Sequence, residues 1–138
     1  MLFRSLTSLR KAGPQLKKLK NNLVPEALLA AEVFEADVVI NLPKLKTHTL
    51  TLLTGAIKNL YGVVSGFNKS KYHLVAFHPK EFAELLVSIY EVIRPSLTIM
   101  DAVVGMEGEG PYKGEPRFIG AILASPDGVA VKIGRAHV

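Results

Sequence analysis

The segment Pro43-Lys-Leu-Lys-Thr-His48 places two ammonium groups two residues apart and an imidazole two residues further on. In an extended chain Lys44, Lys46 and His48 share one side. Such a trio suits an anionic ligand, because lysines neutralise phosphate or carboxylate oxygens and a histidine near its ordinary pKa can move a proton. The same residues also fit a basic, solvated loop. Lys58-Asn59 comes next, with Lys58 four residues after Thr54, a helical spacing that lets both meet one anion. A cation and an asparagine near a helix end also have a plainer role, complementing the dipole and terminating the helix. Three later acids, Asp101, Glu107 and Asp127, can orient a lysine, hold a cation or bond a loop.

Other chemistries find no motif. There is no Gly-x-Ser-x-Gly elbow and no Walker A loop, and Gly105-x-x-Gly108-x-Gly110 has the wrong order for a dinucleotide fingerprint. That glycine segment predicts a sharp turn or a close backbone approach to a ligand, with Glu107 and Glu109 as acids or metal ligands. His48, His73 and His78 match no metal-ligand spacing, so no metal site is expected. With no cysteine, the chain has no thiolate nucleophile and no Cys-held zinc or iron–sulfur cluster.

These residues need elements to position them. Asp37–Leu42 is a β-branched run closed by Pro43 and predicts a buried strand. Thr49 or Thr51 predicts the start of a helix ending near Tyr61, with Gly62 as terminator. Residues 63–77 predict a loop. Phe82, Leu85, Leu86, Ile89, Tyr90 and Ile93 follow helical spacing between Pro79 and Pro95. Residues 97–103 and 118–124 predict two more strands, with a glycine loop at 105–114 between them. The expected class is α/β, with a mixed or mostly parallel sheet and helical crossovers. In open α/β sheets ligand sites gather beyond the carboxyl ends of parallel strands. On that rule Lys44, Lys46, His48, Asp101, Glu107 and Asp127 converge on one edge.

The chain has 138 residues, 49% of them hydrophobic, enough for one core and too apolar for a disordered segment. No apolar stretch approaches the roughly 20 residues that span a bilayer, and no secretory signal is evident, so a cytoplasmic protein is expected. The net charge of +5 is uneven: no acid stands between Asp37 and Glu81, while Lys44, Lys46, Lys58, Lys69, Lys71 and Lys80 do. The basic residues before Glu26 lack interleaved aromatic residues, and neither nucleic acid nor a membrane is the expected partner.

Three units are expected: a basic segment at 1–22, a single α/β domain fragment at 23–131, and a tail at 132–138. Ile133-Gly-Arg-Ala-His-Val138 is what a common sequencing-adapter run encodes, so the tail is expected to be adapter read-through behind a truncated domain. A natural stop behind the same codons in re-amplified source DNA would refute this.

Val38-Val-Ile-Asn-Leu-Pro-Lys-Leu-Lys-Thr-His48, Thr54-Gly-Ala-Ile-Lys-Asn-Leu-Tyr-Gly62 and Met100-Asp-Ala-Val-Val-Gly-Met-Glu-Gly-Glu-Gly-Pro111 together resemble the domain of unknown function 362 family over about Leu23–Val131. The resemblance implies a prokaryotic, cytoplasmic protein with a redox association, because many members carry a ferredoxin-like module on the same chain. It places the family's characteristic polar residues at Lys44, Lys46, His48, Lys58, Asn59, Asp101, Glu107 and Asp127. It also implies that any 4Fe–4S cluster sits in an adjoining module and not in this chain. Departures are the lack of a further strand and lysine loop upstream, Gly128 where proline is common, and Lys132 where aspartate is expected.

The expected function is a redox-linked domain, part of an iron–sulfur-associated oxidoreductase, binding an anionic small molecule in a Lys/His-lined pocket. Lys44, Lys46, Lys58, Asn59 and Asp127 would bind the ligand, and His48, Asp101 and Glu107 would serve catalysis. The alternative is a scaffold that docks a ferredoxin through its basic stretch without catalysis of its own.

Overall fold

The computed structural model describes residues 13–110 and 113–133. The described chain begins with a hairpin of β1 (Pro14–Lys18) and β2 (Glu26–Ala30), in which Gln15 faces Leu29 and Leu16 faces Leu28. Asn21 shapes its connection: the side-chain oxygen accepts the N–H groups of Leu23 at 3.0 Å and Val24 at 2.8 Å, the local bonding that favours asparagine in turns. The boundary expected at residue 22 therefore falls inside one hairpin, and residues 13–22 belong to the folded unit. Residues 1–12 of the expected basic segment lie outside the described residues.

After a short α1 (Glu32–Glu35) the chain enters a five-stranded sheet. Its strands are β3 (Ile40–Asn41), β4 (Lys44–His48), β5 (Leu52–Thr54), β6 (Leu97–Glu109) and β7 (Lys113–Ser125). On one side of β6, β3 and then β4 pair in parallel, with Ile40 opposite Leu97 and Lys44 opposite Asp101. On the other side β7 runs antiparallel along nearly its full length, and β5 runs antiparallel to β4. The α/β class is as expected, with a sheet that is mixed. The strand expected over 37–42 is limited to two residues and is not buried as expected: Asn41 faces inward, while Val38, Ile40 and Leu42 are exposed because no strand or helix covers that side of this short edge segment among the described residues. Pro43, which has no N–H to donate, separates it from β4, and the Pro43 carbonyl accepts the Asp101 N–H at 2.9 Å.

The helix expected from Thr49 or Thr51 to Tyr61 is broken into β5, α2 (Ala56–Asn59) and a 3-10 turn at Leu60–Val63. Gly55 separates strand from helix in an extended conformation, where a helix cannot continue through it. The loop expected over 63–77 contains α3 (Asn68–Val75), with Tyr72 buried. The glycine segment closes a long hairpin: β6 reaches Glu109 and β7 starts at Lys113. A Cβ on Gly110 would collide with the Thr47 carbonyl, so this glycine serves close packing of the hairpin end on β4.

The long helix is as expected. α4 (Pro79–Ile93) opens with proline in its first turn, and the Glu81 carboxylate accepts the His78 N–H at 3.1 Å. It buries Phe82, Leu85, Leu86, Ile89 and Ile93 against Leu29, Ile57, Leu60 and Tyr61. Each such side chain contributes about 1.5–3 kcal/mol by leaving water. A smaller core joins Leu45, Met100 and Ala102 to Val131 of α5 (Gly128–Ile133). The backbones of Lys132 and Ile133 complete α5, and the rest of the expected tail lies outside the described residues.

Candidate anion-binding site

Alternation along β4 decides which side chains meet. Leu45 points into the smaller core, so Lys44, Lys46 and His48 take the opposite side, as their spacing predicts. Thr54 stands opposite Lys46 in the β4–β5 register. The chain then turns at Gly55 into α2, which adds Lys58 and Asn59, and α3 adds His73. Together these seven residues line a cavity of about 410 Å3. No carboxylate is among them.

The cavity is electropositive, and its imidazoles respond. Burial pushes the His48 pKa below its ordinary 6.5, and Lys58, His73 and Lys46 push it further. Burial also lowers His73, with Lys58 adding to the effect. Both are therefore neutral at pH 7. The Nδ1 atom of His48 accepts the Leu50 N–H at 3.2 Å, which leaves the ring proton on Nε2. His73 is stacked on Phe82 with ring centroids 4.2 Å apart and meets Tyr61 edge-on at 5.2 Å, which fixes its plane.

Asn59 is positioned from beneath by Asn41, a residue not singled out by sequence. Asn41 is buried and donates to the Ala56 carbonyl at 2.8 Å, so its side-chain oxygen is free to accept from the Asn59 amide at 2.8 Å. Thr54 is 7% exposed, and its hydroxyl oxygen is buried without a hydrogen-bond partner within the protein. A hydroxyl left so beside a cavity is satisfied when a ligand or water supplies the partner.

The expected acids divide. Asp101 stands at the rim, where Lys44 Nζ donates to its Oδ2 at 2.7 Å and the Val103 N–H to its Oδ1 at 3.0 Å. The Lys44 hydrogen bond, followed by that from Val103, holds the carboxyl below the usual range. Glu107 is not at the site: it lies out on the β6–β7 hairpin and accepts from Arg117 at 2.8 Å. Asp127 is not there either. Its Oδ1 accepts the Val129 N–H at 2.8 Å, which ties it to the start of α5. Convergence on one edge required three parallel strands, but β7 is antiparallel, so its carboxyl end lies beside the start of β6, with Ser125 opposite Thr98. The pocket runs along β4 and not beyond the strand ends.

Thr54 reaches the site from a strand end and not from the helix that its spacing with Lys58 implied. His73 entered the sequence reading only as a metal ligand. The helical spacing of Lys69, Tyr72, His73 and Ala76 is the signal that places it on an inward face. Among the described residues no group of three or more His, Asp or Glu stands close enough to hold a metal ion. A separate cavity of about 870 Å3 lies between the first hairpin and the start of α3 and is lined chiefly by glycines and apolar residues such as Val63, Val64 and Phe67.

Comparison with known proteins agrees with the three motifs. The thylakoid-associated protein sll1697 of Synechocystis sp. is 45% identical over 100 residues, which is 72% of this chain and 31% of that protein. The chain thus spans about a third of the length of this relative. No solved structure matches the chain. The domain of unknown function DUF362 matches residues 6–133, nearly the whole sequence, and the chain belongs to that family.

Proposed function

We propose that this chain binds a small anion, a phosphate or carboxylate compound, in the cavity between β4, α2 and α3. The observation that carries the reading is the convergence of Lys44, Lys46, Lys58 and two neutral imidazoles on a cavity of about 410 Å3 whose lining holds no carboxylate. Lys46 and Lys58 supply the charge. Lys44, held at the rim by Asp101, supplies a directed donor. His48 offers its Nε2–H, and the Thr54 hydroxyl gains the partner it lacks within the protein. The volume falls within the roughly 300–1,000 Å3 of small-ligand sites. Any cysteine-held cluster serving a redox reaction would belong to another module of a full-length polypeptide, because this chain holds no cysteine.

Calorimetric titration of the protein with inorganic phosphate, sulfate and citrate tests the reading. At least one should bind, and Lys46→Gln with Lys58→Gln should weaken it by about ten-fold or more, the scale expected for losing charge-assisted bonds of about 1.5–3 kcal/mol each. Absence of binding by all three, or affinity untouched by the double substitution, refutes it.

A further inference from the structure

The anion pocket is rich in donors and poor in side-chain acceptors. A lysine has no acceptor, and the Nδ1 atom of His48 is taken by the Leu50 N–H. Asn59 stands apart, because a buried neighbour decides which end of its amide is presented. Asn41 is 3% exposed and lies 2.8 Å from the Ala56 carbonyl, which can only accept, so Asn41 turns its Nδ2 there. The same Nδ2 has the Thr98 hydroxyl as a second contact at 3.4 Å. The Asn41 Oδ1 is thereby the atom 2.8 Å from Asn59, and Asn59 must meet it with Nδ2. A reversed Asn59 amide would set two acceptor oxygens at that distance. The Asn59 Oδ1 is left to the cavity that this residue lines, and no side chain or backbone N–H among the described residues donates to it.

We propose, resting on the anion-binding reading, that the ligand is a hydroxylated organic anion, a phosphate ester or carboxylate whose own hydroxyl group donates to Asn59 Oδ1. Asn41 is the positioning residue for that contact. An ammonium group on the ligand would also donate, but Lys44, Lys46 and Lys58 repel a cation, so the donor is a neutral hydroxyl. Size agrees: at ~30 Å3 per water, a cavity of about 410 Å3 holds far more than a five-atom ion. Lys46 and His48 come from β4 and Asn59 from the end of α2, so different elements meet the anionic group and the hydroxyl.

Calorimetric titration of the whole chain with matched ligand pairs tests the proposal. The pairs are glycerol 3-phosphate against propyl phosphate, and citrate against tricarballylate, its counterpart without the hydroxyl. In at least one pair the hydroxylated member should bind about three- to ten-fold tighter, the range for one neutral hydrogen bond, and the pair that shows it identifies the anionic group. Asn59→Leu should bring that ratio to about one, and so should Asn41→Ala, which lets the Asn59 amide turn. The ratio is the readout because lost packing alone would weaken both members of a pair alike. If circular dichroism shows that Asn41→Ala does not fold, the parent ratio and Asn59→Leu still decide. Ratios within about two-fold in both pairs overturn the proposal while leaving anion binding intact. A preference that survives Asn59→Leu overturns it as well, and one that survives in folded Asn41→Ala removes the positioning role. Binding by none of the four, nor by inorganic phosphate or sulfate, refutes the anion site itself and this inference with it.

Discussion

His48 and His73 face the same lysine-rich cavity and are held neutral chiefly by burial, so an anion that enters changes their titration. Negative charge beside an imidazole favours its protonated form, and binding must therefore take up protons. Sulfate, whose own charge stays constant over the range, should bind about ten-fold tighter near pH 5.5 than near pH 8. His48→Gln with His73→Gln should flatten that profile, and calorimetry at both pH values reads it directly. The ligand-free fold responds in the opposite sense. An imidazole depressed below 6.5 in the folded state binds fewer protons than in the unfolded chain. Its contribution is complete above pH 6.5 and is lost as the pH falls through that value.

At the scale of elements, what the sequence made legible was periodic and what it hid was short. Six apolar positions at helical spacing between two prolines mark α4 without ambiguity, and its stop is equally local: Arg94 adopts a left-handed conformation with φ of 45°, and its N–H closes on the Tyr90 carbonyl at 2.8 Å. Only glycine takes that conformation without strain, so Arg94→Gly should stabilise the protein by about 0.5–1 kcal/mol, read as a rise in the urea midpoint at unchanged slope. A fall in midpoint would show that the Arg94 side chain, which donates to the Glu91 carbonyl, matters more than the strain. The β4–β5 pair could not be read in this way. Its strands have five and three residues, and the second contains a left-handed Leu52 that no propensity rule favours. The candidate site was legible where it depends on alternation, at Lys44, Lys46 and His48, and illegible where it depends on strand direction. Asp127 was misplaced because nothing local to residues 113–125 declares whether that strand runs parallel or antiparallel to its neighbour, and Glu107 because β6 continues through the glycine segment to Glu109, where Arg117 of β7 takes its carboxylate.

For the molecule as a whole, the pocket and the main core share a wall. Phe82 has no exposed surface, packs among Tyr61, Leu85 and Ile89, and is also the ring on which His73 is stacked. Phe82→Ala should cost about 3–5 kcal/mol, a large part of the 5–15 kcal/mol that holds a domain of this size together. Thermal unfolding measures the loss. Phe82→Leu retains most of the volume and should leave the fold standing while releasing His73, so its signature is weaker anion binding at nearly unchanged stability. If both variants bind anions as the parent does, His73 does not depend on this support.

The pairing of Lys44 with Asp101 joins residues 57 positions apart, and no nearer segment takes the place of β6 beside β4. During synthesis every residue that lines the pocket, from Lys44 to His73, joins the chain before the strand that orders β4 has been made. At about 5–20 residues per second, that interval lasts seconds. A nascent chain arrested before Leu97 would hold all of the pocket's cations without the central strand and without the carboxylate that restrains Lys44. The anion site is thus a late product of translation, completed only when β6 docks.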